Sequence, residues 1–259
     1  MIVEFLAVII GLLMFLMPYV LGFYFNRKFG TSWNILVLGS ITLLASVPVS
    51  MLVTLLTDLI PYSPSYSWVV FLFESLVLGL LAELTRFLIY KLIFQNPSLD
   101  QAYMGGIGAI IPHSFMWAIS IRSVLNHLAY GIPPSNPYRL LIQPALFLYT
   151  LLKQLPLQIY LTTLSVKTIQ TKNYRHLLKA IGFHTTMDIL TRFGYGMSLY
   201  DILPIRYADY REPFFIPGTQ EYIIELILST ITILIIIYLV KQFNNIQKNL
   251  IDILYNYVI

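Results

Sequence analysis

The sequence predicts an all-α, polytopic transmembrane helix bundle with about seven spans. Of its 259 residues, 58% are hydrophobic and only 11% are charged, whereas a soluble domain carries about 25% charged residues. The apolar residues are also gathered into long runs, and about 20 apolar residues let an α-helix cross a hydrocarbon core of ~30 Å. We therefore expect a multi-pass protein of the cell membrane, embedded in the lipid bilayer and built as a single domain over residues 1–259.

The apolar runs define the predicted helices in chain order. The first contains Pro18 and ends at the basic pair Arg27-Lys28. The fourth contains three glycines and Pro112, so it should be stable only when neighbouring helices pack against it. Because proline has no N–H, Pro112 should also leave a backbone carbonyl free near His113. The predicted spans are residues 3–25, 33–60, 68–94, 101–122, 139–165, 175–200 and 221–241.

Lysine and arginine in the short loops indicate the orientation of the chain. Cytoplasmic loops of membrane proteins carry an excess of these residues. With the N-terminus outside, nine of them face the cytoplasm: Arg27, Lys28, Lys91, Lys167, Lys172, Arg175, Lys179, Lys241 and Lys248. Four lie on the other side: Arg122, Arg139, Arg206 and Arg211. The sequence therefore predicts an N-out, C-in topology, with the polar segment 201–220 at the membrane interface.

The composition also argues against several classes of protein. The net charge of +4 comes without a basic block, so nucleic acid is not expected as a partner. The chain has no cysteine, which excludes a disulfide framework and a thiolate metal site. The apolar run at 3–25 is too long for a cleaved signal peptide and lacks a charged start, so we expect it to remain as a helix.

Ionisable residues that could form a site lie within the third, fourth and sixth predicted spans, where charge is costly. They are Glu83, Arg86, His113, His184 and Asp188. In the predicted topology Glu83, His113, His184 and Asp188 lie roughly 14 to 20 Å from the cytoplasmic ends of their helices. Three helices that run in different directions would thus place polar side chains at one level, which predicts a site inside the bundle.

The types and spacing of these residues suggest hydrolytic chemistry. His184 and Asp188 share a helix face at positions i and i+4, and Arg86 is placed to compensate the charge of Glu83. A carboxylate near two imidazoles can deprotonate water while the imidazoles hold a metal or stabilise an oxyanion. Glu83, His113, His184 and Asp188 would suit a divalent metal such as zinc, although the same residues can also work without one.

Other interpretations remain open from the residues alone. Glu83 and Arg86 form a pair that can simply tie helices together, and His113 can satisfy the carbonyl freed by Pro112. The chain would then be a non-enzymatic membrane scaffold or assembly subunit. A small-solute transporter or proton relay would also place ionisable groups at mid-membrane, but the sequence has no repeated halves.

Several segments resemble the YhfC family of membrane peptidases, which is related to the CAAX-processing and bacteriocin-processing proteases. The segment Gly79-Leu-Leu-Ala-Glu83-Leu-Thr-Arg86-Phe87 is similar to a glycine-led Glu-Glu-x-x-Arg-aromatic motif of that family. His184-Thr-Thr-Met-Asp188 is similar to its His-x-x-x-Asn/Asp motif. Met17-Pro-Tyr-Val and Gly106-Ile-Gly108 also match its layout, so that the resemblance covers about residues 10–190.

The resemblance implies an intramembrane metallopeptidase that cleaves peptide bonds of membrane or lipid-linked substrates. Glu83 would activate water and Arg86 would orient it, while the histidines and Asp188 would bind a metal or the developing oxyanion. Two positions depart from the family pattern, since Ala82 replaces its first glutamate and Ala109 replaces a histidine. The family pattern would also place a glutamate at His113. These departures imply, as the alternative, a catalytically inactive relative that binds a membrane partner.

Overall fold

The computed structural model describes residues 2–58, 64–114, 139–194, 227, 230–239 and 241 of the chain. Their regular structure is α-helical and includes no strand, which confirms the predicted all-α class. The helices are α1 (Ile2–Phe29), α2 (Trp33–Asp58), α3 (Pro64–Ile93), α4 (Leu99–Gly108), α5 (Arg139–Thr171), α6 (Arg175–Gly194) and α7 (Thr230–Leu239). The predicted interfacial segment 201–220 and the last residues of the predicted fourth and sixth spans lie outside the described residues.

Short turns with specific backbone geometry separate the helices. Gly30 ends α1 in the left-handed region at φ +65°, and its N–H donates to the Asn26 carbonyl over 3.0 Å. Glycine is favoured at such a position because it has no Cβ. Between α5 and α6, Lys172 adopts φ 54°, and the Asn173 side chain accepts a hydrogen bond from the Arg175 N–H over 3.1 Å. Each of these two turns has three residues, 30–32 and 172–174.

The predicted fourth span differs from the observed backbone. Instead of running unbroken, α4 ends at Gly108, residues 109–110 form a turn, and helical backbone resumes at 111–114. Pro112 explains the break, because its missing N–H would otherwise have bonded the carbonyl of Gly108. That carbonyl instead accepts a hydrogen bond of 2.9 Å from the Ser40 hydroxyl on α2. A neighbouring helix thus satisfies the carbonyl that the sequence predicted to be free.

Helix α4 lies at the centre of the first of two compact units, which spans Met1–Ile189. Residues 102–111 are all buried. One core cluster joins Met14 of α1, Ile110 after α4 and Leu151 of α5, and another joins Tyr90 of α3, Ala102 of α4 and Val166 of α5. The weak glycine-containing helix is therefore packed by its neighbours, as the sequence required.

Within the part of the chain that the structure describes, two helical segments are long and apolar enough to cross a membrane, namely Val8–Phe29 and Trp33–Val53. Their outward faces carry large apolar side chains such as Leu13, Phe23 and Val37, each more than half exposed. The second compact unit covers Leu190–Ile259. Within it α7 is a shorter apolar helix, and Ile233, Leu234 and Ile237 of α7 are exposed.

Candidate functional site

The site begins with a buried ion pair on α3. The Nη1 atom of Arg86 donates to both carboxylate oxygens of Glu83, over 2.9 Å to Oε1 and 3.0 Å to Oε2. The two residues are three apart on the helix, so their side chains lie on one face. Glu83 is 0% exposed and Arg86 is 2% exposed. Burial of two charges is expensive, and the pairing of these two groups partly offsets that cost.

Helix α6 adds an imidazole to this pair. The Nδ1 atom of His184 lies 2.7 Å from Glu83 Oε1. Gly79, one turn before Glu83 on α3, allows this approach, because a Cβ at that position would lie 2.4 Å from the hydroxyl of Thr185. The His184 side chain is 22% exposed, so it is the most accessible member of this group.

Helix α5 supplies a residue that sequence reasoning missed. The Nη2 atom of Arg86 donates a short hydrogen bond to Oε1 of Gln158, whose amide nitrogen in turn lies 3.4 Å from Gln154 Oε1. Gln158 is only 3% exposed. The signal available in the sequence was two glutamines four residues apart within a mostly apolar run. We refer to Glu83, Arg86, Gln158 and His184 as the buried polar network.

The other two predicted site residues, Asp188 and His113, differ in burial. Asp188 lies one turn after His184 on α6 and is half-buried. His113 lies on the helical backbone after the break and is exposed. In an unbroken helix His113 would share the face of the buried residue Ala109, but the turn at 109–110 changes its direction. Among the described residues, no hydrogen bond or ion pair joins His113 to the buried polar network.

The described residues do not fit the predicted metal site. Both oxygens of Glu83 already accept hydrogen bonds from the Arg86 guanidinium, and a metal ion bound to those oxygens would be repelled by that positive charge. Within the described part of the chain, no three histidine or acidic side chains are grouped so that they could hold a metal ion.

The contacts favour a different chemistry. A histidine whose Nδ1–H donates to a carboxylate keeps its lone pair on Nε2, and that nitrogen can then accept a proton. Glu83 orients the His184 ring and can stabilise the imidazolium that forms. Glu83 itself is buried and has both oxygens engaged, so the partly exposed His184 is better placed than Glu83 to accept a proton.

Comparison with known proteins adds no further assignment. No protein-family model, curated protein or solved structure matches this chain. The roles given to the network therefore come from its contacts, burial and charge.

Proposed function

We propose that the chain is a YhfC-type, multi-pass protein of the cell membrane with about seven spans in the N-out, C-in orientation, and that it acts as an intramembrane peptidase. Two apolar helical segments of membrane-spanning length and the exposed apolar faces of α1 and α2 support the membrane location. The contact between His184 Nδ1 and Glu83 Oε1 supports the enzymatic role, because it orients a partly exposed imidazole with a buried carboxylate.

In the proposed reaction, Nε2 of His184 accepts a proton from a water molecule while the water oxygen attacks the carbonyl carbon of a peptide bond. The resulting imidazolium is stabilised by the Glu83 carboxylate. The same nitrogen then donates the proton to the departing amine, so that one water is consumed and two peptide ends are released. Arg86 holds Glu83 in position, and Gln158 holds Arg86.

The experiment uses the full-length protein in liposomes with a defined mixture of synthetic membrane-spanning peptides. Mass spectrometry of new peptide ends measures cleavage. Since a positioned general base contributes about 10²–10⁴-fold in rate, His184→Gln should lower cleavage by at least about 100-fold. The matched control is His176→Gln, on the same helix but away from the network, and it should cleave as the native protein does. Equal cleavage by the native and His184→Gln proteins would refute the proposal.

The Glu83→Gln variant tests whether cleavage depends on the charge of the carboxylate that contacts the His184 imidazole. This variant keeps the size of the side chain but removes the charge that stabilises the imidazolium, so cleavage should fall strongly. Glu74→Gln is its control, because Glu74 is also a buried carboxylate on α3, at 6% exposure. Loss of cleavage in both variants to the same extent would indicate a general loss of folding.

A membrane scaffold is the second candidate, and one observation favours it. Glu83 and Arg86 are paired with each other and with side chains from α5 and α6, as in a tie between helices. A scaffold would release no new peptide ends from the mixture.

A further inference from the structure

The turns that follow α1, α3 and α5 lie together at one end of the first unit. Three contacts bring these regions together: the stacked rings of Phe25 and Tyr103 at 5.9 Å, the rings of Phe87 and Tyr174 at 6.1 Å, and a 2.7 Å hydrogen bond from Gln170 Nε2 to the Pro97 carbonyl. We call this region, formed by residues 22–33, 87–103 and 163–182, the basic end.

The charges at the basic end are almost all positive. Its acidic side chains are limited to Asp100, in the first turn of α4. Its lysines and arginines are Arg27, Lys28, Lys91, Lys167, Lys172, Arg175 and Lys179. All of these except the half-buried Lys167 are exposed. A surface of this kind attracts anions.

Several of these cations lie over aromatic rings on the outside of the bundle. The Lys91 Nζ atom lies 5.5 Å from the centre of the Phe87 ring, and Arg27 lies 5.2 Å from that of Phe23. The Lys28 Nζ atom lies 2.8 Å from the Tyr24 hydroxyl. Charged groups at the tips of an otherwise apolar surface are typical of the boundary between lipid tails and headgroups.

We propose that the basic end binds the headgroups of anionic phospholipids, chiefly through Lys91, Arg175 and Lys179. The contact between Phe87 and Tyr174 brings the end of α3 beside the start of α6. Arg175 and Lys179 are one turn apart on α6, so they present their charges on the same face. This corner therefore carries three exposed cations, Lys91, Arg175 and Lys179.

The apolar surroundings of these cations favour a lipid over a soluble phosphate compound. Leu92, next to Lys91, is 82% exposed, and Leu178, next to Lys179, is 67% exposed. Such side chains are well placed to contact acyl chains while the cations contact the phosphate. Each lysine or arginine near an anionic membrane surface contributes about 1 kcal/mol, or about fivefold in binding. This proposal rests on the membrane location proposed above and is independent of catalysis.

The test compares two triple variants in bilayers of phosphatidylcholine with one quarter phosphatidylglycerol. Lys91→Gln/Arg175→Gln/Lys179→Gln removes the charges, whereas Lys91→Arg/Arg175→Lys/Lys179→Arg keeps them. Spin-labelled lipids measure the preference of the protein for phosphatidylglycerol over phosphatidylcholine. The native protein and the charge-conserving variant should share one preference, and the neutral variant should lose it by at least about fivefold. Added inorganic phosphate at constant ionic strength should displace no lipid.

The outcomes separate this proposal from the membrane location itself. If the native protein does not insert into the bilayer, the proposed membrane location fails and the lipid surface fails with it. If the protein inserts but the neutral variant keeps the native lipid preference, the lipid surface alone is refuted. Displacement of the lipid by inorganic phosphate would instead identify a general phosphate site and would also overturn the proposal.

Discussion

The first unit joins its helices in two contrasting ways. At the buried polar network, α3 meets α5 and α6 through charged and polar side chains. At the contact between α2 and α4, by contrast, backbone meets backbone. A Cβ added at Gly39 would lie 1.9 Å from the Gly105 carbonyl oxygen, and one at Gly108 would lie 2.0 Å from that of Leu36. We call this second region the glycine contact.

The buried polar network and the glycine contact differ in their free-energy cost to folding. Close backbone packing through small residues is a common means of helix association in membranes and leaves no charge buried. Burying Glu83 and Arg86 is expensive, and apolar residues of similar size often stabilise a protein as well or better. The glycine contact is therefore explained by close packing and one hydrogen bond, from the Ser40 hydroxyl to the Gly108 carbonyl. The buried polar network is not, and this contrast supports a role for it beyond holding the helices together.

The largest expected effect is on the network, in Arg86→Leu. This change leaves the Glu83 carboxylate buried without its guanidinium partner, and the loss of one member of a buried pair costs about 3–5 kcal/mol. Chemical unfolding in detergent micelles would measure the loss. The double variant Glu83→Leu/Arg86→Leu removes both charges and should recover part of the stability. A double variant that is less stable than Arg86→Leu would show that the network is needed for stability after all.

The next effect concerns the glycine contact. Gly39→Ala places a Cβ against the Gly105 carbonyl, so α2 and α4 must separate, and such overpacking costs about 1–3 kcal/mol. Gly182→Ala on α6 is the matched control, because a Cβ there would have no neighbour within 4 Å. That control should gain up to about 1 kcal/mol, since alanine is the better helix former. Thermal unfolding should rank the two variants on opposite sides of the native protein, and a shared direction would contradict the interpretation.

Several features of the first unit could be predicted from the sequence. Helix positions followed from apolar runs and turn residues, so α2 and α6 begin at the predicted residues Trp33 and Arg175. The pairing of Glu83 with Arg86 followed from their helical spacing, because local geometry determines it. The predicted meeting of Glu83 with His184 depended on depth alone, and the 2.7 Å contact agrees with it.

Features that depend on how two distant helices fit together could not be predicted. The only signal for Gln158 in the sequence is a second glutamine four residues earlier, and that spacing does not show that α5 places Gln158 beside Arg86. The predicted depth of His113 uses the rise of a continuous helix, whereas the backbone turns at residues 109–110. Arg86 donates hydrogen bonds to both oxygens of Glu83, which disfavours metal binding there. Sequence spacing does not determine this side-chain geometry.

The smallest effect tests whether a side chain also contributes to the glycine contact. The Ser40 hydroxyl donates to the Gly108 carbonyl over 2.9 Å, which is the carbonyl that Pro112 cannot satisfy. Polar interactions between membrane helices contribute about 0.6 kcal/mol on average, so Ser40→Ala should cost about that much.

Ser46→Ala is the control for this variant. The Ser46 hydroxyl also lies on α2 but donates to the Leu43 carbonyl of its own helix, over 2.6 Å. Because that bond joins no second helix, its loss should leave the packing of α2 against α4 unchanged. Hydrogen exchange at the amides of residues 109–111, 113 and 114 should therefore accelerate in Ser40→Ala but not in Ser46→Ala. Equal exchange in both variants would mean that the break after α4 is held by backbone packing alone.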